Sequence, residues 1–489
     1  MIRLLCATAL AMFLTPAAQA WDQQQNHYRV SVQADKKLAH VQADVWVQGN
    51  ELALFNVSPT KELKNGQAQF LANLQVRDLQ GAAVPLVDKG EGEYQVQGDR
   101  RLVLSYDIRL EHDRYEWPAG VEEVSYRTDE GLMATGYALF LVPGEKMPGQ
   151  TLVEFDLPAE WKAHTPWQAH TKANTFVVDS RRELVNNALF LGEARALQFK
   201  AGGMELRMVL GKRYWPQRAM FRDIMERQLQ SYQALFAQPP LAKRYLVVIN
   251  QGDSGDGGAF SGSFSQFLRS DASLATRHLW GRVLAHELLH FWNGLSLVPK
   301  TDEEEWFKEG VTDYLTISTL ARNGLVDRQF VKGWLENLSR GQTVARMAQG
   351  LEGTVRQAAK NKHRNWLLVY GGGSIAALAM DVEIRRATNN RSGLPDVMRA
   401  MYTEFAHPGK TYTLEDIVRV TRQATGVDVA PVLERTVSNT QATDLVPVFA
   451  HIGLQLESYL LLDHHLLEAA DATPAMGQRF SSMFGRASR

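Results

Sequence analysis

Two histidines and a glutamate, spaced as ligands for one ion, carry the clearest chemistry in this sequence. Residues Ala285 to Tyr314 read AHELLHFWNGLSLVPKTDEEEWFKEGVTDY, with HELLH at His286–His290 and Glu309 after eighteen further residues. On a helix, residues four apart project from one face, so His286 and His290 can grip a single ion. Two imidazoles and one carboxylate leave a fourth position open, the pattern of a catalytic zinc site. Glu287 sits one position round, where its carboxylate can take a proton from a water held at the ion. Asp313, one turn after Glu309, is either a solvated helix residue or the acceptor for the distal N–H of a ligand histidine.

The elements that must position these groups are legible around them. Leu279, Val283, Leu284, Leu288, Phe291, Trp292 and Leu295 recur near helical spacing, so HELLH is expected on a helix with one buried side. Trp306, Phe307, Val311, Tyr314 and Leu315 give Glu309 a second amphipathic run. Upstream, Met220, Ile224, Leu229, Tyr232 and Leu235 predict a helix that ends at Pro239-Pro240. Tyr245–Ile249 reads as a short buried strand, followed by a glycine-rich loop to Gly262.

Residues 21–200 instead alternate with period two. Val41, Ala43, Val45 and Val47 share a face, as do Leu102, Leu104, Tyr106, Ile108 and Leu110, which predicts an all-β domain. Its histidines His27, His40 and His112 fall in no ligand cluster and are expected at the surface. The run Trp366–Val382, broken by three glycines and closed by Asp381, is expected as a strand or turn entering a buried helix. It is not read as a membrane span. Tyr412–Gly426 is amphipathic, with Gly426 closing a helix, and Ala472–Arg489 is expected as a frayed tail.

Composition narrows the classes. With 489 residues, 45% hydrophobic and 22% charged, and a formal net charge of −1, the chain suits two or three globular domains. It has no basic surplus to drive nucleic-acid binding. Arg3, the apolar run Leu4–Leu14 and Ala18-Gln19-Ala20 form a secretory signal over residues 1–20. The single cysteine, Cys6, lies inside it, so a bacterial periplasm is the expected address for the mature chain.

Two serine-based readings compete. Gly252-Asp253-Ser254-Gly255 echoes the surroundings of a trypsin-like nucleophile, but the helical context is wrong for that fold. Gly372-Gly373-Ser374-Ile375-Ala376 is a variant nucleophile elbow, for which Asp396 or Asp428 and His451 or His464 would complete a triad. Neither accounts for HELLH.

The motif residues resemble the glycyl aminopeptidase family of gluzincin zinc peptidases. HELLHFWNG and WFKEGVTDYL are similar to its central motifs, and Tyr370-Gly371-Gly372-Gly373, MDVEIRRAT and LPDVMRAM continue the likeness downstream. FDLPAEW and ELVNNALFLGE resemble its N-terminal domain. The resemblance implies one zinc per chain on His286, His290 and Glu309, with Glu287 as general base and acid. Tyr370 would donate a hydrogen bond to the oxyanion.

The chain departs from that pattern in two places. The family's cleft strand carries a glutamate that holds a substrate's free amino terminus. Here the matching stretch is Gly257, Gly258, Ala259 and Phe260, which puts exopeptidase action in question. The family's C-terminal PDZ domain is also not expected.

The resulting expectation is an α+β multidomain zinc metallopeptidase. It has a β domain (21–200), a thermolysin-like catalytic domain (201–408) and a C-terminal helical region with tail (409–489). Peptide or unfolded polypeptide is the expected substrate, with no nucleic acid and no membrane span. The alternatives are a low-turnover binding protein on the same fold, or a serine hydrolase using Ser374.

Overall fold

The computed structural model describes residues 25–54, 59–117, 124–144, 147, 149–252, 257–268, 277–362, 364–460 and 462–485. Residues 1–20, expected as a signal segment and holding Cys6, and the loop acids Asp253 and Asp256 lie outside the described residues. The N-terminal part is built on a seven-stranded sheet with two smaller four-stranded sheets. Leu38–Val47 and Arg100–Arg109 pair antiparallel at its centre, with Val41 opposite Tyr106 and Val45 opposite Leu102. These are the residues of the period-two pattern, and all four are fully buried. Alternation thus becomes one inward face, as pleating requires.

A five-stranded sheet then takes over. Its order is Arg195–Ala201, Met204–Leu210, Arg244–Gln251, Ser263–Leu268 and Gly257–Ala259. The sheet change therefore comes at Arg195, a few residues before the expected boundary at 201. The three inner strands run parallel, and Gly257–Ala259 closes one edge antiparallel to Ser263–Leu268. One face buries Leu206, Met208, Val247 and Phe264 against the helices. The other face packs Val209, Leu246, Val248 and Phe267 against Met133, Ala188 and Phe190 of the N-terminal part.

The helical layer follows from the apolar periods. Arg218–Phe236 buries Phe221, Ile224, Leu229, Tyr232 and Leu235, and ends where Ala237 turns left-handed before the prolines. Leu414–Thr425 starts at a Thr413–Asp416 capping box and stops at Gly426, at φ +74°.

Four expectations need correction. WLLVY is not a strand: Leu367–Gly372 is a π-helical segment running directly into Gly373–Ala387. A short apolar run buried on all sides looks alike in either state. Together they are long and apolar enough to cross a bilayer, but 72% of their most apolar 18-residue stretch is buried inside the protein. Residues 474–484 are a capped helix rather than a frayed tail, with Phe480, Met483 and Phe484 buried. The C-terminal region also holds a hairpin, Leu454–Leu460 with Asp463–Glu468. Finally, His112 is fully buried, its ring stacked 4.0 Å from that of Phe70.

Candidate active site

The helix Arg277–Leu289 carries His286 and Glu287, and His290 stands one residue past its end. The chain then turns sharply at Gly294 (φ +141°), where a Cβ would lie 3.1 Å from His290 Nδ1. Asn293 ties this turn to the next helix, Glu305–Arg322, donating to the Phe307 carbonyl at 2.9 Å and to Thr312 Oγ1 at 3.1 Å.

That second helix brings Glu309 to the two histidines. His290 Nε2 lies 3.0 Å from His286 Nε2, and Glu309 Oε2 lies 3.2 Å from the former and 3.4 Å from the latter. Ligands about 2.0–2.1 Å from a tetrahedral zinc stand roughly 3.3 Å from one another. The donor set therefore fits zinc. Two imidazole nitrogens facing each other at 3.0 Å in a buried site suit a bound cation, which relieves the lone-pair repulsion when neither carries a proton.

The outer partners select the ligand tautomers. His290 Nδ1–H donates to the Asn293 carbonyl at 2.8 Å, which leaves Nε2 free for the ion. His286 Nδ1 faces Asp313 Oδ1 at 3.5 Å. Asp313 is buried and held by Arg282, whose Nη2 lies 2.9 and 3.0 Å from its two oxygens. Burial opposes the charge on Asp313, but the Arg282 guanidinium and His286 hold its carboxyl down at about 2. Burial likewise opposes a proton on His286, yet Asp313, Glu309 and the field of Glu287 push the metal-free imidazole up to about 10. Glu309 is kept well below the carboxylate range against burial, by His290 and His286 and by Lys362.

Glu287 and Tyr370 flank this cluster. Glu287 Oε2 is buried with no hydrogen-bond partner among the described residues, as expected of an acceptor that waits for a water or substrate proton. The Tyr370 ring lies 6.0 Å from that of His286 and nearly parallel to it. Burial, with the Glu309 and Glu287 charges, pushes its hydroxyl's pKa upward, so the phenol keeps its proton and stays a donor. π-helical segments are uncommon and recur at functional sites.

Other sequence candidates are placed elsewhere. Ser374 is fully buried and donates to the Gly310 carbonyl at 3.1 Å. Asp396 caps a helix, Asp428 accepts from the Ala430 N–H and His464 bonds Ser458, and among the described residues the Ser374 hydroxyl is bonded to the Gly310 carbonyl rather than to a histidine. Phe260 does not line an open cleft. It is buried in the cluster between sheet and N-terminal part, 6.0 Å from the Tyr137 ring. Gly258 is buried too, and Ala259 is the exposed residue of the edge strand. Sequence reasoning missed Arg282, Asn293 and Lys362. Arg282 is one turn before His286 and could have been found by spacing; Lys362, 53 residues beyond Glu309, gave no local signal.

Family profiles described as Peptidase M61 N-terminal domain and M61 glycyl aminopeptidase match residues 27–193 and 280–371, together more than half of the chain. The chain belongs to the M61 peptidase family. It is a zinc-dependent metallopeptidase, in agreement with the His286, His290, Glu309 cluster at the heart of the second match. No curated protein matches this M61 peptidase. Among solved structures, it is similar to an aminopeptidase N family protein from Idiomarina loihiensis. The identity is 17%, the TM-score 0.75, and the match covers 88% of this chain and 79% of that one. An M1 zinc metallopeptidase from Deinococcus radiodurans is 15% identical, with a TM-score of 0.57 and coverage of 86% and 95%. At these identities the likeness is one of fold, which the M61 chain shares with both.

Proposed function

We propose that this peptidase cleaves internal bonds of unfolded or amino-terminally blocked polypeptide in the bacterial periplasm. His286, His290 and Glu309 hold the metal, Glu287 moves the proton and Tyr370 binds the developing oxyanion. Zinc, when bound, supplies an acidified water and polarises the scissile carbonyl. Glu287, with its unpartnered oxygen beside the cluster, takes the proton from the attacking water and passes it to the leaving amine. Tyr370 gives its phenolic hydrogen to the carbonyl oxygen as charge develops there.

The observation that carries the internal-cleavage reading is Phe260. Where the resembled family has its ammonium-binding glutamate, this chain has Phe260, which offers no carboxylate and is buried between the sheet and the N-terminal part. An unpaired ammonium in a closed cleft costs several kcal/mol, and Phe260 does nothing to offset that cost for a free amino terminus. The signal-like residues 1–20 and the thiol-free remainder support the compartment. One peptide offered with free and acetylated amino termini tests the specificity by mass spectrometry. Internal cuts, at least as fast in the acetylated form, are expected. Faster stepwise release from the free form overturns the reading. Amino-terminal sequencing of the exported chain, expected to begin near Trp21, checks the address.

A further inference from the structure

Glu309 uses its two oxygens differently. Its side chain is only 4% exposed; Oε2 faces the histidines, while Oε1 accepts from Lys362 Nζ at 2.8 Å. Lys308 is the second ammonium nearby, at 3.4 Å from Oε1. Both also reach Glu305, Lys308 at 3.2 Å from each of its oxygens and Lys362 at 3.2 Å from Oε2, so the shorter bond to Glu309 is what sets Lys362 apart.

Lys362 is anchored by the fold. It follows the buried pair Ala358 and Ala359, at the end of a short helix capped by Thr354 and Gln357. Arg356 of that helix binds Glu303 at 2.7 Å and Glu304 at 3.0 Å, at the entrance to the Glu309 helix. These pairs join the short helix to the start of the Glu309 helix, and Lys362 itself bridges Glu305 and Glu309 on it.

We infer that Lys362 is a positioning residue of the metal centre, confining Glu309 to ligation through one oxygen and drawing charge from it. The inference rests on His286, His290 and Glu309 being the zinc ligands. A carboxylate with both oxygens free can close on a metal through two, filling the position that substrate needs. The ammonium occupies one oxygen and leaves the other a weaker donor, so the metal stays open and acidic. This inverts the usual sign of an outer partner, whose loss weakens metal binding. Lys362 repels the dication it helps to tune, so its loss tightens binding while slowing turnover.

The test measures zinc affinity by chelator competition, with kcat, KM and thermal stability, in the wild type and four variants. Lys362→Met and Lys362→Gln are expected to bind zinc about tenfold more tightly, the scale of removing one unit charge from near a dication. Their kcat is expected to fall about 10- to 100-fold, with KM unchanged. Lys362→Arg keeps the charge and is expected to stay near wild type in affinity. Lys308→Met is expected to change affinity little. The visible spectrum of the cobalt-substituted Lys362→Met protein is expected to weaken as an extra ligand joins.

Weaker zinc binding together with lost thermal stability in both neutral variants would make Lys362 a structural anchor and overturn the inference. A raised KM with unchanged affinity would make it a substrate contact, with the same result. A wild-type chain that binds no zinc would instead overturn the ligand assignment, and this inference with it.

Discussion

Glu287 has a buried carboxylate oxygen with no partner among the described residues, and a proton-transfer role accounts for it. If that oxygen takes the proton of the attacking water, Glu287→Gln removes the base while leaving the three ligand atoms in place. The expected outcome is stoichiometric zinc by elemental analysis, with peptide hydrolysis lowered at least ~10²-fold. Tyr370→Phe is expected to lower kcat with KM little changed, because the hydroxyl acts on charge that develops only in the transition state. At this scale the grouping of His286, His290 and Glu309 was legible, because a ligand set demands fixed types at fixed spacing. Lys362 and Asn293 were not, because their roles depend on where distant segments meet.

The elements that bear these groups are locked together by bare backbone. The Glu309 helix and the helix Gly373–Ala387 touch at Gly310 and Gly373. A Cβ on Gly310 would lie 2.4 Å from the Gly373 Cα, and one on Gly373 would lie 2.3 Å from the Trp306 carbonyl oxygen. Neither obstacle is a side chain that can swing away. Gly310→Ala and Gly373→Ala are therefore each expected to cost about 1–3 kcal/mol or more in denaturant unfolding and to weaken zinc binding. Gly371→Ala, where a Cβ meets nothing within 4 Å, is the control and is expected to leave unfolding nearly unchanged. The glycines of this run were readable as room for close packing, but the state of the residues before them was not. The capped helix at 474–484 was missed although Thr473 and Pro474 mark its start; small residues along it masked an apolar face of only three large side chains.

Across the whole molecule, the buried histidines of the N-terminal part set a pH limit that the surface reading of His112 did not foresee. A lone polar residue has no periodicity to announce burial, and neither His112 nitrogen finds a partner among the described residues. Burial pushes His112 down to about 3, with Asp113 only partly offsetting it, and pushes His164 down to about 4. Both bind protons more weakly folded than unfolded. Their contribution is therefore complete above the unfolded value near 6.5 and is lost as pH falls from there toward 3–4. Each removes about 1.4 kcal/mol per pH unit once protonated in the unfolded chain. Urea titrations between pH 7 and 5 are expected to show this decline, and His112→Phe, which keeps a ring against Phe70, is expected to make it shallower. The apolar cluster that takes in Phe260 has a consequence for modularity. Since Met133, Ala188 and Phe190 cover the back of the catalytic sheet, that sheet borrows part of its core from the chain before it. A chain nicked near Glu193 would then stay together as a tight two-piece complex, and the peptidase half made alone would present a sticky, half-built wall.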